Sequence, residues 1–502
     1  MNHKFDELTK NLAQTVTRRA ALKKFGLGLA AMALAILMAL TTAATAATVG
    51  PLIELSRPNA VGSCDSGFLS LPGTWTLDDA FEPVVAVNPI NPKNIVAAWN
   101  QGLLQNIIAA VSFDGGRTWQ QVPIPFTVCS GGALLGAADS WLSFAPNGDL
   151  YLSALMANSV DNRAVAVTKS TDGGLHWSGP IPVSASTDLT PDHPSLTADP
   201  TDARFVYVIW NTGDGGGRGT SAFSRTTDGG LTWEAARTLV QPASHNGIQF
   251  SQILVLPDGT LVDLYEQFYS TQTKKPITQT SLQLVRSSDH GQTWSAPIYA
   301  VTMTPLYRPD GATLVVDPET GQFVFDPTNP SFAVDRRNGN LYVVWEDGRF
   351  SNFQYNDAAF SMSADGGFTW SAAIRVNKTP LNIPASSRQS FFPVVAVAGD
   401  GTIGVAYYDF RFNDPSPGLP TDYWLVRCQP TSALPATNPA NWGNEVRLTD
   451  SSFNMEACGT IGVQFRPGEY YGLAAAGSDF VSSFTQVDGD NVTAIFFRRV
   501  AK

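Results

Sequence analysis

Ser112-Phe-Asp-Gly-Gly-Arg-Thr-Trp119 returns four more times along the chain with small changes. The copies are Ser170-Thr-Asp-Gly-Gly-Leu-His-Trp177, Thr226-Thr-Asp-Gly-Gly-Leu-Thr-Trp233, Ser287-Ser-Asp-His-Gly-Gln-Thr-Trp294 and Ser363-Ala-Asp-Gly-Gly-Phe-Thr-Trp370. Reduced to Ser/Thr-x-Asp-x-Gly-x-Thr-Trp, the pattern describes a tight hairpin. The carboxylate of Asp114, Asp172, Asp228, Asp289 or Asp365 accepts hydrogen bonds from turn N–H groups, and glycine supplies the left-handed backbone. The Trp then anchors the returning strand in apolar packing. Recurrence at this spacing means a repeat architecture.

Each copy sits inside a longer unit. The first runs through Pro83 to Asn88, a Pro/Asn turn, Asn94 to Trp99, Ile107 to Ser112, the hairpin, and Gln121 to Pro125. That is four short strands. The leading pair recurs at 140–155, 194–210, 248–265, 331–345, 392–407 and 471–484, with Asx-Gly turns at Asn147-Gly148 and Asp258-Gly259. A sixth hairpin is worn down to Trp442 before Glu445-Val-Arg-Leu448. Residues 300–330 read as an inserted loop. The last unit is one strand short, and Val49-Gly-Pro-Leu-Ile-Glu-Leu55 is the segment able to supply it.

Composition agrees with many short strands. Apolar residues make up 43% of the chain and charged ones 15%, with 43 Gly and 33 Pro among 502 residues. The N-terminus is a separate object. Thr17-Arg18-Arg19-Ala20-Ala21-Leu22-Lys23-Lys24 precedes a 16-residue apolar run, Phe25 to Leu40, and small residues follow at Ala44-Thr45-Ala46-Ala47. This is similar to a twin-arginine export signal cleaved near Ala46, with Ala21 standing where Phe is usual. Sixteen residues are short for a membrane span. Loss of residues 1–46 takes six basic and two acidic residues, leaving 26 basic and 41 acidic, a net charge of −15. So acidic a surface argues against nucleic acid or anionic membranes as partners. The four cysteines allow three disulfide connectivities. No Cys/His spacing suggests zinc, and no cofactor or metal is expected.

The repeated octapeptide resembles the Asp box of the sialidase and BNR-repeat superfamily of β-propellers, over roughly residues 80 to 500. The resemblance implies an all-β fold: a single propeller of four-stranded blades, seven by the count of strand pairs, with the six of sialidases proper as the alternative. The N-terminal strand would close the ring and remove its free edges. The expected organisation is a signal peptide at 1–46, an extension carrying the closing strand at 47–80, and the propeller at 81–502. In that family the Asp boxes face away from the active site, so their aspartates are scaffold.

With the boxes on one face, residues before each first strand and after each second strand gather at the opposite mouth. Before the first strands stand Glu82, Asp139, Asp192-His193 and Glu469-Tyr470-Tyr471. After the second strands stand Glu266, Glu346-Asp347-Gly-Arg349 and Asp409-Phe-Arg411. Carboxylates crowded together raise one another's pKa, the setting acid–base chemistry uses, and arginines hold substrate carboxylates bidentately. Any one of these residues can equally tie neighbouring blades together. Cys64, Cys129 and Cys458 fall in connections on this face and Cys428 near the boxes, which makes Cys64–Cys129 the expected pair.

Sialidases use a Tyr nucleophile, a Glu that activates it, an Asp acid and three arginines for the sugar carboxylate. The resemblance places these at Tyr470, in Tyr470-Tyr-Gly-Leu473, at Glu266, at Asp139, and at Arg349, Arg411 and Arg308. The family's Phe/Tyr-Arg-Ile-Pro motif is absent, Arg57-Pro58 being the nearest remnant. Two functions therefore stand side by side, an exported monomeric exo-glycosidase of sialidase type and a non-catalytic propeller that binds glycans or proteins. A calcium-stabilised scaffold ranks behind both, for no calcium-loop spacing supports it.

Overall fold

The computed structural model describes residues 47–502 apart from 69–72, 160–161, 185–189, 214–218, 245, 270–278, 307–314, 325–328 and 462–463. The expected export signal and Arg308 lie outside the described residues. Within them the chain is strand and turn, with only short 3-10 segments as helix. Among the described residues no helix is long and apolar enough to cross a membrane.

Six sheets are each built from one continuous stretch, at 80–123, 136–182, 191–240, 246–303, 331–375 and 390–447. In each, four strands pair antiparallel in chain order. A further sheet joins Gly472–Ala476, Asp479–Val487 and Thr493–Val500 to Ile53–Glu54, with Ile53 opposite Phe497 and Glu54 opposite Phe496. A small sheet of two-residue strands pairs Val315–Val316 and Phe323–Val324 with Gln464–Phe465 and Thr460–Ile461, so the long 300–330 connection is partly ordered.

Burial follows each strand's position. The second strands Ile95–Gln101, Leu341–Asp347 and Ile403–Asp409 are buried at every residue. They lack the polar alternation of a one-sided sheet because a neighbouring sheet covers each face. Trp99, Trp210, Tyr265, Trp345 and Tyr407 take the same step, fifth along their strands, and all are fully buried. Fourth strands such as Gln120–Pro123 are half exposed. The first strands of all seven larger sheets line one common cavity of about 760 Å³, the radial arrangement of a propeller.

The octapeptide turns are built as their residue types require. In the first, Ser112 Oγ donates to Asp114 Oδ1 at 2.9 Å and accepts from Gly116 N at 2.9 Å. Asp114 also accepts from Arg117 N, Thr118 N and Thr118 Oγ1. Asp172, Asp228, Asp289 and Asp365 likewise accept from the backbone N–H four residues on, and the Thr hydroxyl bond recurs at the last three, with His176 Nδ1 in its place at Asp172. Trp119, Trp177, Trp294 and Trp370 each donate Nε1 to the carbonyl of the second glycine.

That second glycine does more than turn the chain. A Cβ at Gly174 would fall 3.0 Å from Val96, at Gly230 2.9 Å from Tyr151, at Gly291 2.9 Å from Phe223, and at Gly367 2.8 Å from Leu284. Each turn thus lies flat on the preceding sheet. At Gly116 the atom in the way belongs to Phe497, in the sheet of residues 472–500 and 53–54. Only glycine tolerates both the left-handed φ, 82° to 105° at these positions, and the contact.

Cys64 and Cys129 form the expected disulfide, with S–S 2.08 Å, while Cys428 and Cys458 are buried thiols. The docked turns yield a test. Gly259 has the same left-handed φ, 82°, but open space where its Cβ would go. Gly259→Ala is expected to cost about 1 kcal/mol, and Gly230→Ala or Gly367→Ala about 2–4 kcal/mol, since only the latter add overpacking. Denaturant titration reads the difference; equal losses would mean the turns do not bear on their neighbours.

Candidate functional site

A repeated backbone defect builds the mouth of the cavity. In five first strands the pairing slips by one residue, between Phe81 and Val84, Ala138 and Trp141, Asp192 and Ser195, Gln249 and Gln252, and Phe391 and Val394. Inside each bulge one non-glycine residue adopts a positive φ: Glu82 at 58°, Asp139 at 54°, His193 at 47°, Phe250 at 54° and Phe392 at 50°. Each costs on the order of 1 kcal/mol, and bulges commonly serve to re-aim a side chain. In three successive sheets the re-aimed residue is titratable.

These residues meet a segment leading into the last sheet. Arg466 Nη2 donates to Glu469 Oε1 at 2.9 Å and reaches Glu82 Oε1 at 3.4 Å. His193 Nε2 lies 2.9 Å from Glu469 Oε2, and its Nδ1 is 3.4 Å from Asp192 Oδ2. Asn100 Nδ2 donates to Glu82 Oε2 at 2.5 Å, and Asn329 Nδ2 to the Glu469 carbonyl at 2.7 Å. Tyr470 stands edge-on to Trp141 at 6.1 Å and to His193 at 6.0 Å, and the His193 ring packs on Phe250 at 4.6 Å. The Tyr470 hydroxyl is buried with no hydrogen-bond partner among the described residues. A niche of about 30 Å³ beside it, between His193, Phe250, Asn329 and Tyr470, has room for a water molecule.

The charges sort into two groups. Burial, and then repulsion from Asp192, raise Asp139 to about 7. Burial, reinforced by Glu469, pushes Glu82 well above the usual carboxylate range. For Glu469 burial also works upward, but Arg466 and His193 overcome it and hold the carboxylate below its ordinary pKa. Burial would lower His193, yet Asp192 and the bond to Glu469 lift it to about 10. Near neutral pH the mouth therefore presents a Glu82 whose proton affinity is raised, a poised Asp139, a Glu469 held toward its ionised form and an imidazolium. Burial, followed by Asp139, Glu469 and Glu82, keeps the Tyr470 hydroxyl firmly protonated.

Residues after the second strands are placed differently. Glu266 accepts from Gln249 Nε2 at 3.1 Å in the fourth sheet. Glu346 accepts from Asn356 and from Phe392 N at 2.7 Å, bracing the bulge of the sixth sheet. Asp347 takes Arg349, Thr304 and Trp345 Nε1. Asp409 takes Arg411, Thr379 and Trp424 Nε1. Arg411 also binds Glu445 at 2.7 Å and lies 3.7 Å over the Trp424 ring. Arg349 and Arg411 are thus held by carboxylates of their own sheets.

Arg466 and Asn100 were not anticipated. Arg466 sits in Arg466-Pro-Gly-Glu469, where the Pro-Gly turn brings its guanidinium back onto Glu469, and that turn is its one sequence signal. Among the described residues no three His, Cys, Asp or Glu side chains are arranged to hold a metal ion.

No protein-family model matches the chain, and no curated protein matches it. Among solved structures it is similar to the Hadza microbial sialidase Hz136, at 15% identity over 82% of this chain and 75% of that one, with a TM-score of 0.46. It is similar to a Penicillium chrysogenum alpha-L-arabinanase complexed with arabinobiose, at 14% identity over 72% and 94%, TM-score 0.45. It is also similar to the intramolecular trans-sialidase from Ruminococcus gnavus, at 14% identity over 84% and 94%, TM-score 0.42. Likenesses this loose assign neither an activity nor a site.

The raised Asp139 carries a consequence for stability. Its folded pKa lies above the unfolded one, so its contribution is full below about pH 4 and is lost as pH rises through about 7. Asp139→Asn removes that loss. The variant is expected to be more stable than the parent at pH 8, on the order of 2 kcal/mol after allowance for solvent screening, with no gain at pH 4. Melting curves at the two pH values check this; a gain independent of pH would contradict it.

Proposed function

We propose that this chain is an exported, monomeric glycosidase working at the mouth formed by Glu82, Asp139, His193, Arg466, Glu469 and Tyr470. Its scaffold is read as a seven-bladed propeller closed by the strand Ile53–Glu54. Residues 1–46 serve as a twin-arginine signal. The observation that carries the activity is the pair of carboxyls driven apart in pKa beside one tyrosine, Asp139 up to about 7 and Glu469 down. Such a separation is how one site keeps an acid and a base at the same pH.

In this mechanism Asp139 gives its proton to the departing glycosidic oxygen as the Tyr470 oxygen bonds to the anomeric carbon. The phenolic proton passes to Glu469, which takes the base role that the family resemblance gave to Glu266. Water, deprotonated by Asp139, then breaks the tyrosyl–sugar bond, and the proton returns from Glu469 to Tyr470. Arg466 and His193 hold Glu469 ionised beforehand. Asp192, half exposed, flanks the entrance.

A sialoside needs cations for its carboxylate. Arg349 and Arg411 would have to leave Asp347, Asp409 and Glu445 to serve. Arg466 and His193, the cations of the mouth itself, are engaged by Glu469, and among the described residues this favours neutral glycans as substrates. A second reading, a glycan-binding propeller without turnover, draws support from the Tyr470 hydroxyl, which has no hydrogen-bonded base among the described residues.

A panel of chromogenic neutral glycosides and sialosides offered to residues 47–502 separates the two readings. Turnover is expected, falling as pH rises past about 7 with loss of the Asp139 proton. Tyr470→Phe and Asp139→Asn are each expected to lower kcat about 10²-fold or more while ligand retention persists. Binding with no turnover of any substrate would establish the module instead.

A further inference from the structure

We infer that the axial cavity is a second binding site, for an amphipathic monoanion of the fatty-acid type, its head on Arg336 and its tail along the wall toward Tyr470. The cavity runs along the later half of most first strands, past their bulges. Trp141, just past its bulge, and Tyr470, just before its strand, line one end, and Pro89, Pro146, Pro200, Pro257 and Arg336 line it at the turns beyond the strands' far ends. At about 760 Å³ it is in the size range of small-molecule sites.

Apolar surface is the larger share of its wall. Val85, Leu142, Leu196, Ile253, Val394 and Leu473 contribute one hydrocarbon surface from each of six sheets. Hydroxyls in the wall are already engaged between neighbouring first strands. Thr197 Oγ1 donates to the Ile253 carbonyl at 2.7 Å, Ser143 Oγ accepts from Ala198 N at 3.0 Å, and Ser331 Oγ accepts from Val395 N at 3.1 Å. At these positions an alkyl chain would meet hydrocarbon, while Gln252, Asn329 and Glu469 keep part of the lining polar.

Arg336 is the exception at the far end. Its neighbour Arg337 is tied to Asp335 at 2.7 Å and to the Asp400 carbonyl. No hydrogen bond or ion pair engages the Arg336 guanidinium among the described residues. Asp199 attracts it electrostatically, but that carboxylate already accepts from Thr201 and Tyr207. Arg336 is exposed, yet protein surrounds it closely enough for desolvation to lower its pKa. Arg336 lines the lumen, and a guanidinium there without an ion pair among the described residues is complementary to a carboxylate. Glu469 and Tyr470 line the same cavity, but the anchor is Arg336, so loss of dodecanoate binding in Arg336→Gln with glycoside turnover unchanged separates this site from the proposed glycosidase site.

Dodecanoate titrated calorimetrically into residues 47–502 is expected to bind one to one and to raise the melting temperature. Decyltrimethylammonium, with the opposite head charge, is expected to do neither. Arg336→Gln, on an exposed turn, is expected to weaken dodecanoate at least about tenfold, and Arg336→Lys to retain most of the affinity. Failure of dodecanoate to bind the parent chain at millimolar concentration would overturn the inference. So would equal binding of the ammonium, or unchanged affinity in Arg336→Gln.

Discussion

The contact between each turn glycine and the sheet before it organises this molecule. Gly174, Gly230, Gly291 and Gly367 have no room for a side chain because Val96, Tyr151, Phe223 and Leu284 occupy the space. The Asp carboxylates hold these turns in shape: Thr232, Thr369 and their counterparts donate to both carboxylate oxygens. Spacing and rotation between sheets are thereby set at one face by rigid, hydrogen-bonded corners. Flexible side chains could not hold the repeat so closely. At Gly116 the same kind of contact is made with Phe497, in the sheet of residues 472–500 and 53–54.

With one face fixed, the opposite face is free to carry chemistry, and there the strands depart from regularity. Five bulges at corresponding places hold residues with positive φ, three of them Glu82, Asp139 and His193. Strain of this kind persists only where the surroundings over-determine it, and here paired strands on either side of each bulge do so. The gain is a cluster of charges drawn from separate sheets at one entrance, where burial and mutual repulsion separate their proton affinities. Glu346 and Gln249–Glu266 show the cost of such bulges, for part of the acidic complement braces backbone or side chains beside them.

Much of this was readable in advance, and the limits have physical causes. The octapeptide names its own turn because Asp, Gly and Thr each perform a distinct local task. The four-strand period shows because apolar runs and turn residues alternate at short range. Glu82, Asp139, His193 and Glu469 were identifiable as neighbours once loops were sorted by face. The pairing of Arg349 with Asp347 and of Arg411 with Asp409 was harder to see. Asp-x-Arg at a strand end has the same composition whether the arginine faces a ligand or folds back onto its own aspartate. Arg466 was hidden for a different reason: its value depends on Glu82, 384 residues away, and no local pattern encodes that contact. The bulges left only a trace, the proline that follows Glu82, His193 and Phe392.

The central claim is that the mouth holds Asp139 with its proton near neutral pH. A carbon-13 titration of side-chain carboxyls in aspartate-labelled protein, with Asp139→Asn to assign the resonance, measures this directly. A carboxyl titrating near 7 that vanishes in the variant is the predicted result. An Asp139 signal that titrates below 5 would contradict the account, because the acidic entrance would then contain no group poised to give up a proton.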